Sequence, residues 1–360
     1  MGGLGRAGTI ASRLLIELGT APNEAVAAVR SVRPGAIETS AQLEYVLGLA
    51  EVAEEIPDTS AEAIEDRAIG VMLGLAVGDA IGTTLEFKPR DTYPRLTDMT
   101  GAGPFNLEPG VWTDDTAMAL ALMDSLTSMG ELDEYDLMER FVRWHEEGTY
   151  SCTGSCFDIG ITTRQALSVW KQTGNPIAGS TDPMTAGNGS LMRLAPVAVR
   201  YWRDRDKLRD VAARQSRTTH AAPEAVDACV AFAQALADAI EGQPRSEVLR
   251  NRVEPYAGSI PAIMAGSWRG KTRDDICASG YVAHSLEASL WSTARTGNFE
   301  EAVLLAANLG EDADTTAAIT GQLAGALYGK NGIPRHWRER VAWQDTICAA
   351  AAALHRQALA

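Results

Sequence analysis

The sequence predicts an all-α protein. Apolar residues recur at helical spacing along all 360 residues, no alternating run is long enough for a strand, and small residues stand four apart inside apolar stretches. The spacing predicts helices over 64–81, 116–129, 134–146, 159–171, 223–240, 276–293 and 315–327. The first carries Gly70, Gly74, Gly78 and Gly82, and the last carries Gly321 and Gly325. Four-residue spacing puts these on one helical face, where missing side chains let two backbones approach closely. Each glycine costs about 1 kcal/mol of helix propensity relative to alanine, so close packing or ligand contact must offset it. Pro57, Asp58, Thr59 and Ser60 form a polar, turn-rich stretch that divides the chain into residues 1–55 and 56–360.

Composition narrows the function classes. Lys and Arg number 32 and Asp and Glu 47, so a net charge of −15 disfavours nucleic acid and anionic lipid and suits a cation. The 46% hydrophobic, 6% aromatic and 22% charged content is that of a globular protein. No apolar stretch is expected to span a bilayer, so no membrane partner is expected. Five scattered cysteines, with a single Cys-x3-Cys at Cys152 and Cys156, have no zinc-type pairing and fit reduced thiols in the cytosol. The N-terminus has neither a secretory signal nor a transit-peptide composition.

Two acidic clusters open apolar helices. One is Trp112-Thr113-Asp114-Asp115-Thr116 and the other Gly310-Glu311-Asp312-Ala313-Asp314-Thr315-Thr316. Acids and hydroxyls at a helix start cap orphan N–H groups and complement the helix dipole. One helix start needs one capping side chain, however, and each cluster supplies two or more carboxylates. Clustered carboxylates repel unless a cation lies between them, and Asp and Thr oxygens are hard ligands suited to Mg²⁺ or Mn²⁺. Capping and metal binding both remain open from the sequence. Two further segments carry chemistry: Gly78-Asp79-Ala80-Ile81-Gly82-Thr83-Thr84-Leu85-Glu86 at a glycine-rich helix end, and the loop Gly187-Asn188-Gly189-Ser190, whose amides can face phosphates.

In this order, Gly-Asp-Ala-Ile-Gly-x3-Glu, Thr-Asp-Asp-Thr, Gly-Asn-Gly-x3-Arg, Thr-His and Asp-x-Asp-Thr resemble the ADP-ribosylglycohydrolases, from about residue 63 to the C-terminus. The resemblance implies a compact orthogonal helical domain with a central cleft holding two Mg²⁺ ions, Mn²⁺ being the alternative. It carries the metal ligands onto Thr113, Asp114, Asp115, Asp312, Asp314 and Thr315. Glu86 and Asp158 match the catalytic acids, and Gly187, Asn188, Gly189, Ser190 and His220 match positions that hold ADP-ribose. From the residues alone, Asp158 is also a candidate cap for the helix expected at 159. Arg193 pairs with either a phosphate or a structural acid. The implied reaction is metal-dependent hydrolysis of the glycosidic bond between ADP-ribose and a protein side chain or small conjugate. Such cleavage passes through an oxocarbenium-like state served by carboxylates and an activated water. A non-catalytic ADP-ribose-binding or immunity-type protein of the same fold is the alternative.

Residues 1–55 resemble the C-terminal half of a dual-specificity or tyrosine phosphatase through Gly2-Gly3-Leu4-Gly5-Arg6 and the helical pattern after it. That family's phosphate loop is Cys-x5-Arg, and the position five residues before Arg6 would need a Cys ahead of Met1. The expectation is a short helical fragment, left either by a start codon assigned too late, with a phosphatase domain upstream, or by a remnant that only packs or binds.

Overall fold

The computed structural model describes residues 4–17, 20, 22–47 and 56–359. All regular structure among them is helical, and backbone pairing outside helices is limited to three isolated bridges. The chain divides into two compact units, residues 1–56 and 57–360.

The first unit contains α1 (Leu4–Glu17), α2 (Pro22–Val32) and α3 (Ser40–Leu47). They meet around Val26, Ile37 and Val46, with Ile16 and Leu43 against them. A three-residue core is small, and hydrogen bonds from Arg30 to the carbonyls of Ala36 and Ile37 hold the α2–α3 turn. The described residues give the phosphatase resemblance no support, and Met1, Gly2 and Gly3 lie outside them.

The second unit runs through α4 (Ala61–Gly82), α5 (Asp114–Met129), α6 (Glu134–Glu147), α7 (Ile161–Thr173), α8 (Ala195–Tyr201), α9 (Arg205–Arg217) and α10 (Pro223–Glu241). It continues with α11 (Arg245–Val248), α12 (Ile260–Met264), α13 (Val282–Ala294), α14 (Phe299–Ala307), α15 (Ala313–Tyr328), α16 (Arg335–Arg340) and α17 (Gln344–Leu359). Helices α4 and α15 form an antiparallel pair at the centre, flanked by α5, α8, α10, α13, α14 and α17.

The glycine stripe explains that pair. A methyl group built on Gly70, Gly74, Gly78 or Gly82 would lie 2.3, 2.2, 2.2 or 2.3 Å from the carbonyl oxygen of Gly325, Gly321, Ala317 or Ala313 respectively. Gly321 and Gly325 reciprocate, at 2.0 and 1.9 Å from the Gly74 and Gly70 carbonyls. No side chain fits along this seam, so the two backbones touch over about three helical turns and their register is fixed. Because the pair is antiparallel, the seam brings the end of α4 to the start of α15. It therefore places Asp79 and Glu86 beside Asp312 and Asp314.

Helix α4 with the 3₁₀ turn after it, Ala61–Leu85, has mean hydropathy 1.6 and is long and apolar enough by composition to cross a membrane. This corrects the expectation that no stretch reaches that length. With 94% of its apolar window buried inside the protein, the helix is apolar because the core surrounds it. A second correction concerns the helix expected over 276–293, which begins only at Val282. The preceding residues spend their backbone groups elsewhere: Ala278 and Gly280 carbonyls accept from Asp312 N (2.9 Å) and Asn188 N (3.1 Å), and Val282 N donates to Ala186 O (3.0 Å).

Candidate active site

The starts of α5 and α15 face each other at the end of α4, and both draw caps from that end. Thr113 and Asp312 occupy the N-cap positions without making a side-chain cap. The caps come from the α4 end. Asp79 Oδ1 accepts from Thr113 N (2.8 Å) and Oγ1 (2.9 Å), and its Oδ2 accepts from Thr116 N (3.0 Å) and Oγ1 (2.6 Å). Glu86 Oε2 accepts from Ala313 N (2.7 Å) and Asp314 N (3.3 Å). With these amides met from the α4 end, capping uses few of the oxygens of Asp114, Asp115, Asp312 and Asp314, of which Asp314 Oδ1 accepts from Thr315 N (2.7 Å).

These acids converge in the interior. Among the described residues, carboxylate oxygens of Asp79, Asp115 and Asp314 lie within 4.8 Å of one another, as do those of Glu86, Asp312 and Asp314. Asp314 belongs to both groups. Thr113 Oγ1 is 3.3 Å from Asp115 Oδ2 and 3.4 Å from Asp314 Oδ2, and Thr315 Oγ1 is 3.5 Å from Asp115 Oδ2. Asp115 Oδ1 is buried with no hydrogen-bond partner. Burial pushes the carboxyls of Asp114 and Asp115 well above the usual range, and their acidic neighbours push them further. Burial followed by repulsion from Asp314 raises Asp79 and Asp312 to about 7. Glu86 is raised by burial and then by Asp314 and Asp312. Bare carboxylates in this arrangement are held against their charge, and a hard cation is the group that would relieve it.

Asp158 reaches the cluster from a different loop. Its φ of 58° is left-handed, α7 starts at Ile161 and Gly160 is the N-cap, so Asp158 caps nothing. Burial, followed by repulsion from Asp314 and Asp114, raises its carboxyl to about 11. Six acids from four stretches of chain thus surround Asp314, and the sequence reading had named all of them except Asp79. That residue lay inside a quoted motif, but its function as the cap of α5 depends on tertiary packing.

The 187–190 loop is fastened across the same cleft. Asn188 Nδ2 donates to Asp312 Oδ2 (2.8 Å) and to Ser285 Oγ (2.8 Å), coupling the loop to the acids. Gly187 and Gly189 lie over the His220 ring, where a methyl on Gly189 would come within 2.7 Å of Cε1. His220 is buried, with Nδ1 2.8 Å from Thr219 Oγ1, and burial plus the nearby Arg193 lower it to about 3, so the ring is neutral. Ser190 is fully buried against Ser216 (Oγ to Oγ 2.8 Å). Both side chains pack against the loop, whose Gly187 and Asn188 amides are bonded to Thr185 O (2.8 Å) and Gly280 O (3.1 Å). Arg193 is also fully buried; it donates to Gln215 Oε1 (3.0 Å) and O (2.8 Å) and stacks on Phe141.

The ADP-ribosylglycohydrolase family model matches residues 60–359. The chain belongs to the ADP-ribosylglycohydrolase family. It is 48% identical over 282 residues to the ADP-ribosylarginine hydrolase Tri1 of Pseudomonas putida (strain GB-1), covering 78% of this chain and 76% of that one. It is 32% identical over 294 residues to the ADP-ribosyl-dinitrogen reductase glycohydrolase of Rhodospirillum rubrum, with 78% and 91% covered. A solved structure described as an ADP-ribosylglycohydrolase-related protein complex superposes with a TM-score of 0.74 at 40% identity, over 82% of this chain and 99% of that one. The protein is accordingly a hydrolase of the glycosidic bond that joins ADP-ribose to its acceptor. The family match starts at residue 60 and leaves the first unit outside it.

Proposed function

We propose that this enzyme removes ADP-ribose from arginine side chains, using a pair of Mg²⁺ or Mn²⁺ ions. The observation that carries the metal reading is the convergence of two carboxylate groups on Asp314 in the interior, while Asp79 and Glu86 supply caps to the helix starts from outside the two clusters. The residues fit such ions: the donors are all hard oxygens, Asp115 Oδ1 lacks a partner, and Asp314 is common to both carboxylate groups. Thr113, Asp114, Asp115, Asp312, Asp314 and Thr315 would hold them. When bound, the ions supply Lewis-acid polarisation and an acidified water, and they favour the vicinal hydroxyls of a ribose.

The chain's own residues do the rest. Gly187 N and Asn188 N are bonded to Thr185 O (2.8 Å) and Gly280 O (3.1 Å), so the amides of Gly189 and Ser190 are the ones offered to the pyrophosphate, and the Asn188 side chain ties that loop to Asp312 so that phosphate and ribose are positioned together. Glu86 caps α15 through Oε2 alone, so Oε1 is available to take the proton of the attacking water. Asp158 reaches the same centre from the loop before α7 and is the acid assigned to the leaving nitrogen. Arginine is favoured as acceptor by the 48% and 46% identity to proteins named ADP-ribosylarginine hydrolase.

Mass-spectrometric measurement of ADP-ribose released from arginine-linked and serine-linked peptides, with Mg²⁺ or with excess chelator, tests this reading. Mg²⁺-dependent release from the arginine peptide is expected. Release from the serine peptide alone would overturn the linkage, and undiminished release in chelator would overturn the metal.

A further inference from the structure

Three phenylalanines stand on the segments that carry or brace the acidic cluster. Phe87 directly follows Glu86, Phe157 directly precedes Asp158, and Phe105 comes from the separate loop 101–107. Their rings form a continuous edge-to-face chain: Phe87 to Phe105 at 6.3 Å and 73°, Phe105 to Phe157 at 5.3 Å and 62°. Phe87 is 65% exposed, and the other two are half-buried.

The chain holds these rings at a conformational cost. Phe87 has a left-handed φ of 60°, unusual for a bulky residue, and is pinned there by its N–H donating to Glu311 O (2.7 Å). The 101–107 loop has left-handed residues at Gly101, Ala102, Gly103 and Asn106, and it is tied to the same turn as Glu86 by Thr84 Oγ1 donating to Gly101 O (2.9 Å). All three rings are therefore built on segments that also carry or brace the acids. Strain gathered beside a reactive centre points to function. The packing of the core gives no reason to leave a phenylalanine two-thirds exposed there.

Resting on the arginine-linked reading above, we propose that Phe87, Phe105 and Phe157 form an aromatic wall that receives the acceptor's guanidinium. A planar, weakly hydrated cation is attracted to aromatic faces, and the adjoining Glu86 carboxylate adds to that attraction. A serine acceptor presents neither plane nor charge, so the wall is a specificity element that discriminates between linkages.

The test compares wild type with Phe105→Leu and with Phe87→Asn, a residue that accepts a left-handed φ. For the arginine-linked peptide, each variant should raise KM by about tenfold while kcat falls no more than about threefold, and Phe105→Trp should recover the wild-type KM. Inhibition by free ADP-ribose should stay within about twofold of wild type, because the wall faces the acceptor. Weakened ADP-ribose inhibition in parallel with KM would overturn the proposal and assign the wall to the nucleotide; an unchanged KM in both variants would overturn it outright. Wild type that cleaves only the serine peptide would show instead that the arginine reading has failed, and the guanidinium site with it. Thermal unfolding of each variant accompanies the kinetics, and the exposed Phe87 ring can be removed without opening the core.

Discussion

The two acidic helix starts look alike in sequence and differ in how they are capped. At α5, Asp79 meets two backbone amides and two hydroxyls with both of its oxygens. At α15, Glu86 meets two amides with Oε2 alone. Asp79 is committed to structure, whereas Glu86 combines a structural bond with an oxygen that stays available. Two carboxylates from one helix end, seven residues apart, thus have different duties, and their hydrogen-bond inventories separate them. The contrast also explains why the clusters are so acidic: an external cap lets a helix start keep its own aspartates for a ligand while its dipole still favours their charge.

The largest effect that breaks this comparison is expected from Glu86→Gln. Gln can still accept from the α15 amides, so the melting temperature should hold while kcat for ADP-ribose release falls by about a thousandfold, within the range for loss of a general base. A thousandfold loss accompanied by unfolding would mean that Glu86 is a cap first. Asp79→Asn should show the converse. It turns an NH₂ toward one pair of donors, costing about 1 to 3 kcal/mol for buried groups left unpaired. Thermal denaturation should fall by several degrees, with activity of the folded fraction largely retained. An Asp79→Asn protein that is stable but inactive would move Asp79 from cap to ligand.

A smaller effect concerns pH. Asp312 is raised from the usual carboxylate range to about 7, so without metal the folded state binds a proton that the unfolded state releases above about 4. Its contribution to metal-free stability is therefore intact below about pH 4 and lost as pH rises through 7. Bound metal takes the place of that proton. The gain in melting temperature on adding Mg²⁺ should consequently be largest near pH 8 and shrink toward pH 5.5. His220, lowered to about 3, acts in the opposite sense, withdrawing stability as pH falls below about 6.5, but it does so with and without metal and cancels in the difference. A Mg²⁺ gain independent of pH would contradict the assignment of Asp312 as a ligand.

The helical class was legible, and the glycine faces of α4 and α15 marked close approach by a backbone or a ligand without saying that the two helices meet each other; the acids were legible because paired carboxylates at a helix start exceed what capping requires. What could not be read depended on partners distant in the chain. Asp79 caps a helix that begins 35 residues later, and no local rule gives that pairing. The segment before Val282 has helical periodicity, yet its carbonyls serve Asn188 and Asp312 across the cleft. Ser190 is buried against Ser216 and His220 against Thr219 and the loop glycines, contacts from distant stretches that spacing does not encode. Residues 1–55 carried a resemblance without its nucleophile, and their three helices add nothing to it.

The central claim is that Asp314 joins two metal sites. Metal content of the purified chain, loaded with Mn²⁺ and measured by inductively coupled plasma mass spectrometry, tests it most directly. Wild type should hold two ions per chain, Asp79→Asn should hold the same number, and Asp314→Asn should hold none. An Asp314→Asn protein that folds and still carries two ions would contradict the account.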